Sequence, residues 1–236
     1  MMMRLGRVAN SILTRFGYKI TVYNKINKQT LAEEQLLKAL ADLDALYNTF
    51  VFGNEQTADP ERLRLLSDST YTRFGTGFYL IDCLHQTLDL EGDICEFGVA
   101  EGAISALLAH EIKNTRKDIW LFDSFEGLSR PTEKDILIRD PLHAGSIDAY
   151  EGRLAFPEGM VRFRLSAIGF PPERTMIVPG FVERTLQGPN LPQAVCFAYV
   201  DLNLHEPILL ALNFLDTVLR PGDSWSLMIM KTFHGG

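Results

Sequence analysis

Three short runs constrain this chain more than anything else in it: Asp93–Val99 (DICEFGV), Ile119–Phe122 (IWLF) and Ala194–Val200 (AVCFAYV). Each is apolar at almost every position. A strand with one wet face alternates polar and apolar residues, whereas a run without alternation has both faces covered. Thr175–Val178 and Ser226–Met230 read as two further strands. Helical stretches lie between them, Gly102–Ile112 and Pro207–Leu219, the second stopped by Pro221-Gly222. Strands alternating with helices predict an α/β fold: a parallel sheet with helices on both faces.

The region before residue 76 has a different rhythm. Thr30-Leu31-Ala32-Glu33 is a capping-box pattern, and Leu36, Leu37, Leu40, Leu43, Leu46 and Tyr47 follow at helical spacing. This predicts a helix over about 30–48, then a polar loop from Gly53 to Pro60 and a second helix from about Phe78 to Leu88. The expected organisation is a helical appendage over 1–75, a core over 76–222 and a tail over 223–236. The first 32 residues carry six basic side chains and no acidic one. Leu5, Val8, Ile12, Leu13 and Phe16 are interleaved with them, a basic amphipathic pattern read as a solvated extension or one packed on a second subunit.

Net charge decides between classes of partner. Thirty acidic residues against 23 basic give −7, which speaks against nucleic acid, because a phosphate backbone calls for a basic footprint. No apolar run reaches membrane-spanning length, so no membrane partner is expected. Cys83, Cys95 and Cys196 are too few and scattered for a disulfide framework, which points to a cytoplasmic protein.

The chemistry concentrates at the strand ends. Ligands of open α/β sheets bind at the carboxyl ends of the strands, and Glu96, Asp123 and Asp201 fall there. Glu96-Phe97-Gly98-Val99-Ala100-Glu101-Gly102 joins strand to helix. The turn is G-x-x-x-G, so the dinucleotide fingerprint G-x-G-x-x-G is absent and a nucleotide-dependent oxidoreductase is disfavoured. Main-chain N–H groups in such a turn can hold a carboxylate, and Glu96 can hold an ammonium. Asp123, at the end of the next strand, can accept ribose hydroxyls. That combination suits S-adenosylmethionine (SAM).

Five segments then resemble one family. DICEFGVAEG (93–102), LFDSFEGL (121–128), PGFVERTL (179–186), YVDLNLHE (199–206) and LRPG (219–222) are similar in order and spacing to the macrocin O-methyltransferase family. The resemblance covers about residues 60–222. It implies a Rossmann-like SAM-methyltransferase sheet and SAM-dependent methylation of a hydroxyl on a small molecule, a sugar or polyol of natural-product type, often in a homo-oligomer. It implies that Glu96, Gly98, Val99 and Gly102 border the methionine end of SAM, with Ala100, Glu101 and Ser105 in the same cofactor set. Asp123, Ser124 and Phe125 border ribose and adenine, and Gly180 and Phe181 lie beside the adenine.

The family also implies Mg²⁺, and here the sequence departs from it. Asp201 keeps the first carboxylate of the metal motif, while Asn203 and His205 stand where the family has a second aspartate and a tyrosine. The places of a later aspartate-aspartate-tyrosine triplet hold Met228, Ile229 and Met230. Mg²⁺ demands hard oxygen donors, so Asp201 is left as the metal candidate, and a cation-free route would draw its base from His143 or His205. Met-Ile-Met is encoded ATG-ATH-ATG, which read one base earlier gives GAT-GAT-TAT, aspartate-aspartate-tyrosine. The expectation is therefore an aberrant, frameshifted tail from about Asp223, a sheet truncated after its fifth strand and poor solubility. The competing reading is an inactive SAM-binding pseudoenzyme.

Overall fold

A computed structural model describes residues 59–68, 74–137, 140, 142–219 and 226–229, with parts of 35–46. The basic segment 1–28 and most of the tail expected from Asp223 lie outside the described residues. The described part of 35–46 is helical, as the heptad-like leucines predict.

The described residues from Leu43 onward form one compact unit. Its elements are α1 (Pro60–Asp68), α2 (Phe74–His85), β1 (Asp93–Phe97), α3 (Ala103–Ile112), β2 (Ile119–Asp123), α4 (Glu158–Ala167), β3 (Thr175–Pro179), α5 (Val182–Thr185), β4 (Val195–Val200), α6 (His205–Val218) and β5 (Ser226–Ile229). The five strands form one sheet in the order β3-β2-β1-β4-β5, and every neighbouring pair is parallel. The expected α/β sheet is therefore present. The helix α2 begins at Phe74 and runs across the boundary expected at 75/76.

Register assigns each side chain to a face. Glu96 lies opposite Leu121 of β2 and Tyr199 of β4. Strand side chains alternate, so Asp123 and Asp201 share that face, which α3 covers through Ser105. The opposite face carries Cys95, Phe97, Phe122, Ala198 and Val200, packed with Ala211 and Leu215 of α6. Phe97 and Phe122 stack with ring centroids 4.6 Å apart. Burying each such side chain contributes about 1.5–3 kcal/mol, which is why these strands tolerate no polar alternation. Among the described residues no helix is long and apolar enough to cross a membrane.

The helices before β1 are tied to the unit by ions. The Arg62 guanidinium on α1 donates from Nε to Glu111 Oε1 at 2.6 Å and from Nη2 to Oε2 at 2.7 Å. His85, at the end of α2, meets the same Oε2 at 2.7 Å. Burial alone would raise the Glu111 carboxyl, but the bonds from His85 and Arg62 outweigh it and hold the group below the usual glutamate range. Such a depressed acid stabilises the fold above its unfolded value and loses that contribution as pH falls through the folded one. Beside it, Asp59 caps α1 by accepting the N–H groups of Glu61 and Arg62 and meets His110 Nε2 at 2.7 Å.

Candidate functional site

Strand order places the site. The chain leaves β1 toward β2 and β3 on one side, and β4 and β5 lie on the other, so the strand order reverses between β1 and β4. A crevice opens at such a switch point, outside the carboxyl ends of the strands. The turn after β1 and the loop after β4 border it.

The turn is held in an uncommon shape. Gly98 has φ 84°, Ala100 51° and Gly102 80°. At Gly98 the main chain passes so close to the Asp201 carbonyl that a Cβ would collide with it. Gly102 starts α3, and a Cβ there would sit 3.0 Å from Val161 Cα of α4. Ala100 is left-handed, a region that residues other than glycine occupy sparsely.

Three carboxylates reach the same face of this edge, each in a different environment. Glu96 is 1% exposed and accepts a 2.5 Å bond from Ser105 Oγ. Burial pushes its carboxyl well up, Ser105 opposes this, and Asp201 and Asp123 push further upward. Asp123 Oδ2 accepts the N–H groups of Val99 at 2.7 Å and Ala100 at 2.9 Å, and Oδ1 accepts that of Phe125 at 2.7 Å. Asp201 Oδ2 accepts the phenol of Tyr199 at 2.9 Å. Burial first, then the charge of Asp201 and its bond, then Glu96, push the Tyr199 phenol far up, so it remains a donor at any physiological pH.

The remaining expected residues are distributed around this centre. Glu101 is half-buried, 3.4 Å from Arg164 of α4. Ser124 donates to the Gly127 carbonyl at 2.6 Å and accepts from Glu126 N–H, closing the Ser-Phe-Glu-Gly turn. Phe125 has φ 55°. Gly180, φ 126°, donates its N–H to the Asp123 carbonyl at 2.9 Å, and Phe181 caps α5. A cleft of about 530 Å³ opens beside Phe181, lined by Glu126, Arg130, Glu151, Glu183 and Arg184 among others; Gly98 and Asp201 do not line it.

The candidate bases stand apart from the three buried or half-buried carboxyls. His143 is exposed in the loop after β2, with φ 52°. His205 is exposed at the start of α6, its main-chain N–H bonded to Asp135 Oδ1 at 2.8 Å. Asn203 is half-buried with an Oδ1 that has no hydrogen-bond partner. Among the described residues no group of three His, Cys, Asp or Glu side chains could hold a metal ion. The side chains of Met228 and Ile229, and Met230 altogether, lie outside the described residues. Asp201 and Asn203 are the oxygen donors described at this part of the motif, and no step is routed through a cation.

Two contributors escaped the sequence reading. Tyr199 stands two residues before Asp201 on the same strand face, a spacing that announces contact once the strand is assigned. Asp135, which joins the loop after β2 to α6, has no local signal, because its partner is 70 residues away.

Glu96→Gln gives a direct check on the site's electrostatics. An acid raised on folding stabilises below its unfolded value, and that contribution is lost as pH rises toward the folded one. The neutral isostere is therefore expected to raise the melting temperature at pH 8 and to change it little at pH 4. Thermal unfolding of both chains at the two pH values measures this; an equal shift at both would contradict it.

Comparison with known proteins gives three findings. Residues 79–226 match the family model described as Macrocin-O-methyltransferase. The O-methyltransferase NovP superposes with a TM-score of 0.56 at 20% identity, over 82% of this chain and 81% of that one. The calicheamicin methyltransferase CalS11 superposes with a TM-score of 0.52 at 24% identity, over 81% and 76%. These two likenesses show the fold. No curated protein matches the sequence.

Proposed function

Since the chain belongs to the macrocin O-methyltransferase family, we propose that it transfers a methyl group from SAM to a hydroxyl of a small natural-product molecule, a sugar or another polyol. The observation that carries this reading is the left-handed turn at Gly98–Gly102, packed against the Asp201 main chain, with the buried Glu96 carboxyl beneath it. NovP and CalS11 are named for O-methylation and for calicheamicin methylation, which favours an acceptor of natural-product type.

The residues present fit the cofactor. Glu96 offers an acidic group to an ammonium, and its burial strengthens that attraction. Gly98 lets the turn pack directly on the Asp201 main chain, which fixes the edge of the crevice. Asp123 offers its remaining acceptor position to a ribose hydroxyl, and Phe181 an aromatic surface to the adenine. When bound, SAM supplies an electrophilic methyl group on a sulfonium. The protein's task is then alignment of acceptor oxygen, methyl and sulfur, together with removal of the hydroxyl proton. Asp201, at the edge of the crevice, is the group we assign to the acceptor hydroxyl. Tyr199 fixes its orientation. His205 and His143 are second choices because both are exposed.

The test is transfer of labelled methyl from SAM to sugar nucleotides and glycosylated natural products, with and without Mg²⁺. Label appearing on an acceptor hydroxyl supports the reading. SAM binding with no transfer to any acceptor, with or without the cation, would favour the pseudoenzyme instead, a reading motivated by Asn203 and His205 in the metal motif.

A further inference from the structure

Ala100 has φ 51°, between Gly98 and Gly102 at 84° and 80°. A main chain that visits the left-handed region turns successive N–H groups inward and makes a small anion-binding concavity. Here the Val99 and Ala100 N–H groups converge on one atom, Asp123 Oδ2, at 2.7 and 2.9 Å. The concavity is already filled, and its occupant is a carboxylate of the chain itself.

That occupancy limits what Asp123 can do for a ligand. A carboxylate offers about four acceptor directions, two on each oxygen. Both on Oδ2 are taken by Val99 and Ala100, and one on Oδ1 by Phe125. One direction remains, and a ribose presents two adjacent hydroxyls. A clasp on both must displace a main-chain N–H.

We propose that Asp123 gates the main-chain concavity of the cofactor turn. Its carboxylate fills the Val99 and Ala100 N–H groups until a ribose diol draws it away, and the freed N–H groups then receive the carboxylate at the amino-acid end of the ligand. The inference rests on the SAM reading of this crevice and adds to it a coupling between the two ends of the cofactor. Coupling of this kind is reciprocal, so the nucleoside half and the amino-acid half must each strengthen the other's binding.

The experiment uses the full chain with isotope-labelled valine and alanine, observed by amide NMR. The probes are adenosine, a dideoxyadenosine lacking both ribose hydroxyls, S-adenosylhomocysteine and L-methionine. Adenosine alone is expected to move the Val99 and Ala100 signals, although it carries no amino-acid end, and the dideoxy analogue is expected to leave them in place. Adenosine should also raise methionine affinity by about fivefold or more, and the dideoxy analogue should not. The proposal is overturned if adenosine or S-adenosylhomocysteine saturates without moving those two signals, or if the dideoxy analogue moves them equally. Failure of S-adenosylhomocysteine to perturb any labelled amide would bring down the SAM reading itself, and the coupling with it; that outcome is distinct from binding without coupling.

Discussion

Gly98→Val is expected to abolish SAM binding and to destabilise the chain. The glycine has φ 84°, a region closed to β-branched residues, and a Cβ would collide with the Asp201 carbonyl oxygen. That oxygen is main chain and cannot swing aside. Relief requires the β1 turn and the end of β4 to separate, and their separation opens the crevice that the cofactor would fill. The combined strain costs about 3 kcal/mol or more, and affinity falls by at least about a hundredfold if the turn moves. Calorimetry and thermal unfolding on the same variant separate the two effects. A variant with unchanged SAM affinity would show that the cofactor does not approach this turn.

Glu111→Leu is expected to be as damaging, without touching the cofactor. Glu111 is 2% exposed and answers two partners, the nearly buried Arg62 and His85. Leucine removes the carboxylate but leaves the guanidinium in place. Removing one member of a buried ion pair costs about 3–5 kcal/mol, which for a chain of this size lowers the melting temperature by about 10 °C. Replacing the charge partner as well, in the double variant Arg62→Met with Glu111→Leu, should recover much of that loss, because the nearly buried guanidinium is removed together with its carboxylate. If the single variant melts like the parent, the ion cluster does not hold α1 and α2 on the sheet. Because the Glu111 carboxyl is held low, the parent should also weaken as pH falls below the ordinary glutamate range, and the double variant should lose that dependence.

The strands were legible because burial on both faces leaves apolar runs with no alternation, and Asp93–Phe97, Ile119–Asp123 and Val195–Val200 lie within a residue or two of their sequence limits. The helix α4 was not. Val161, Leu165 and the adjoining Ile168 form its buried face, but Met160 and Phe163 are exposed between them, and these outward apolar residues blur the stripe. In α1 the signal is present, since Asp59 caps it and Pro60 occupies its first position, where proline is favoured; the loop expected from Gly53 to Pro60 overlaps the helix only at Pro60. The candidate site divides in the same way. Glu96, Asp123 and Asp201 could be placed at strand ends from the sequence, because strand direction in a parallel sheet fixes the functional edge. Their bonding could not. The contacts of Asp123 with Val99 and Ala100 span 24 and 23 residues, and the clasp of Arg62 on Glu111 spans 49. Pairs so distant leave no periodicity or spacing to read.

The crevice outside the carboxyl ends of β1 and β4, bordered by the Gly98 turn, is assigned above all as a SAM site. Titration calorimetry of the full chain with S-adenosylhomocysteine tests that assignment most directly, with the parent, Gly98→Val and Glu96→Gln measured side by side. A SAM site predicts saturable one-to-one binding by the parent, about tenfold weaker binding by Glu96→Gln as the ammonium loses its acidic partner, and none by Gly98→Val. No heat of binding from a folded parent chain, or equal affinity in all three, would contradict it.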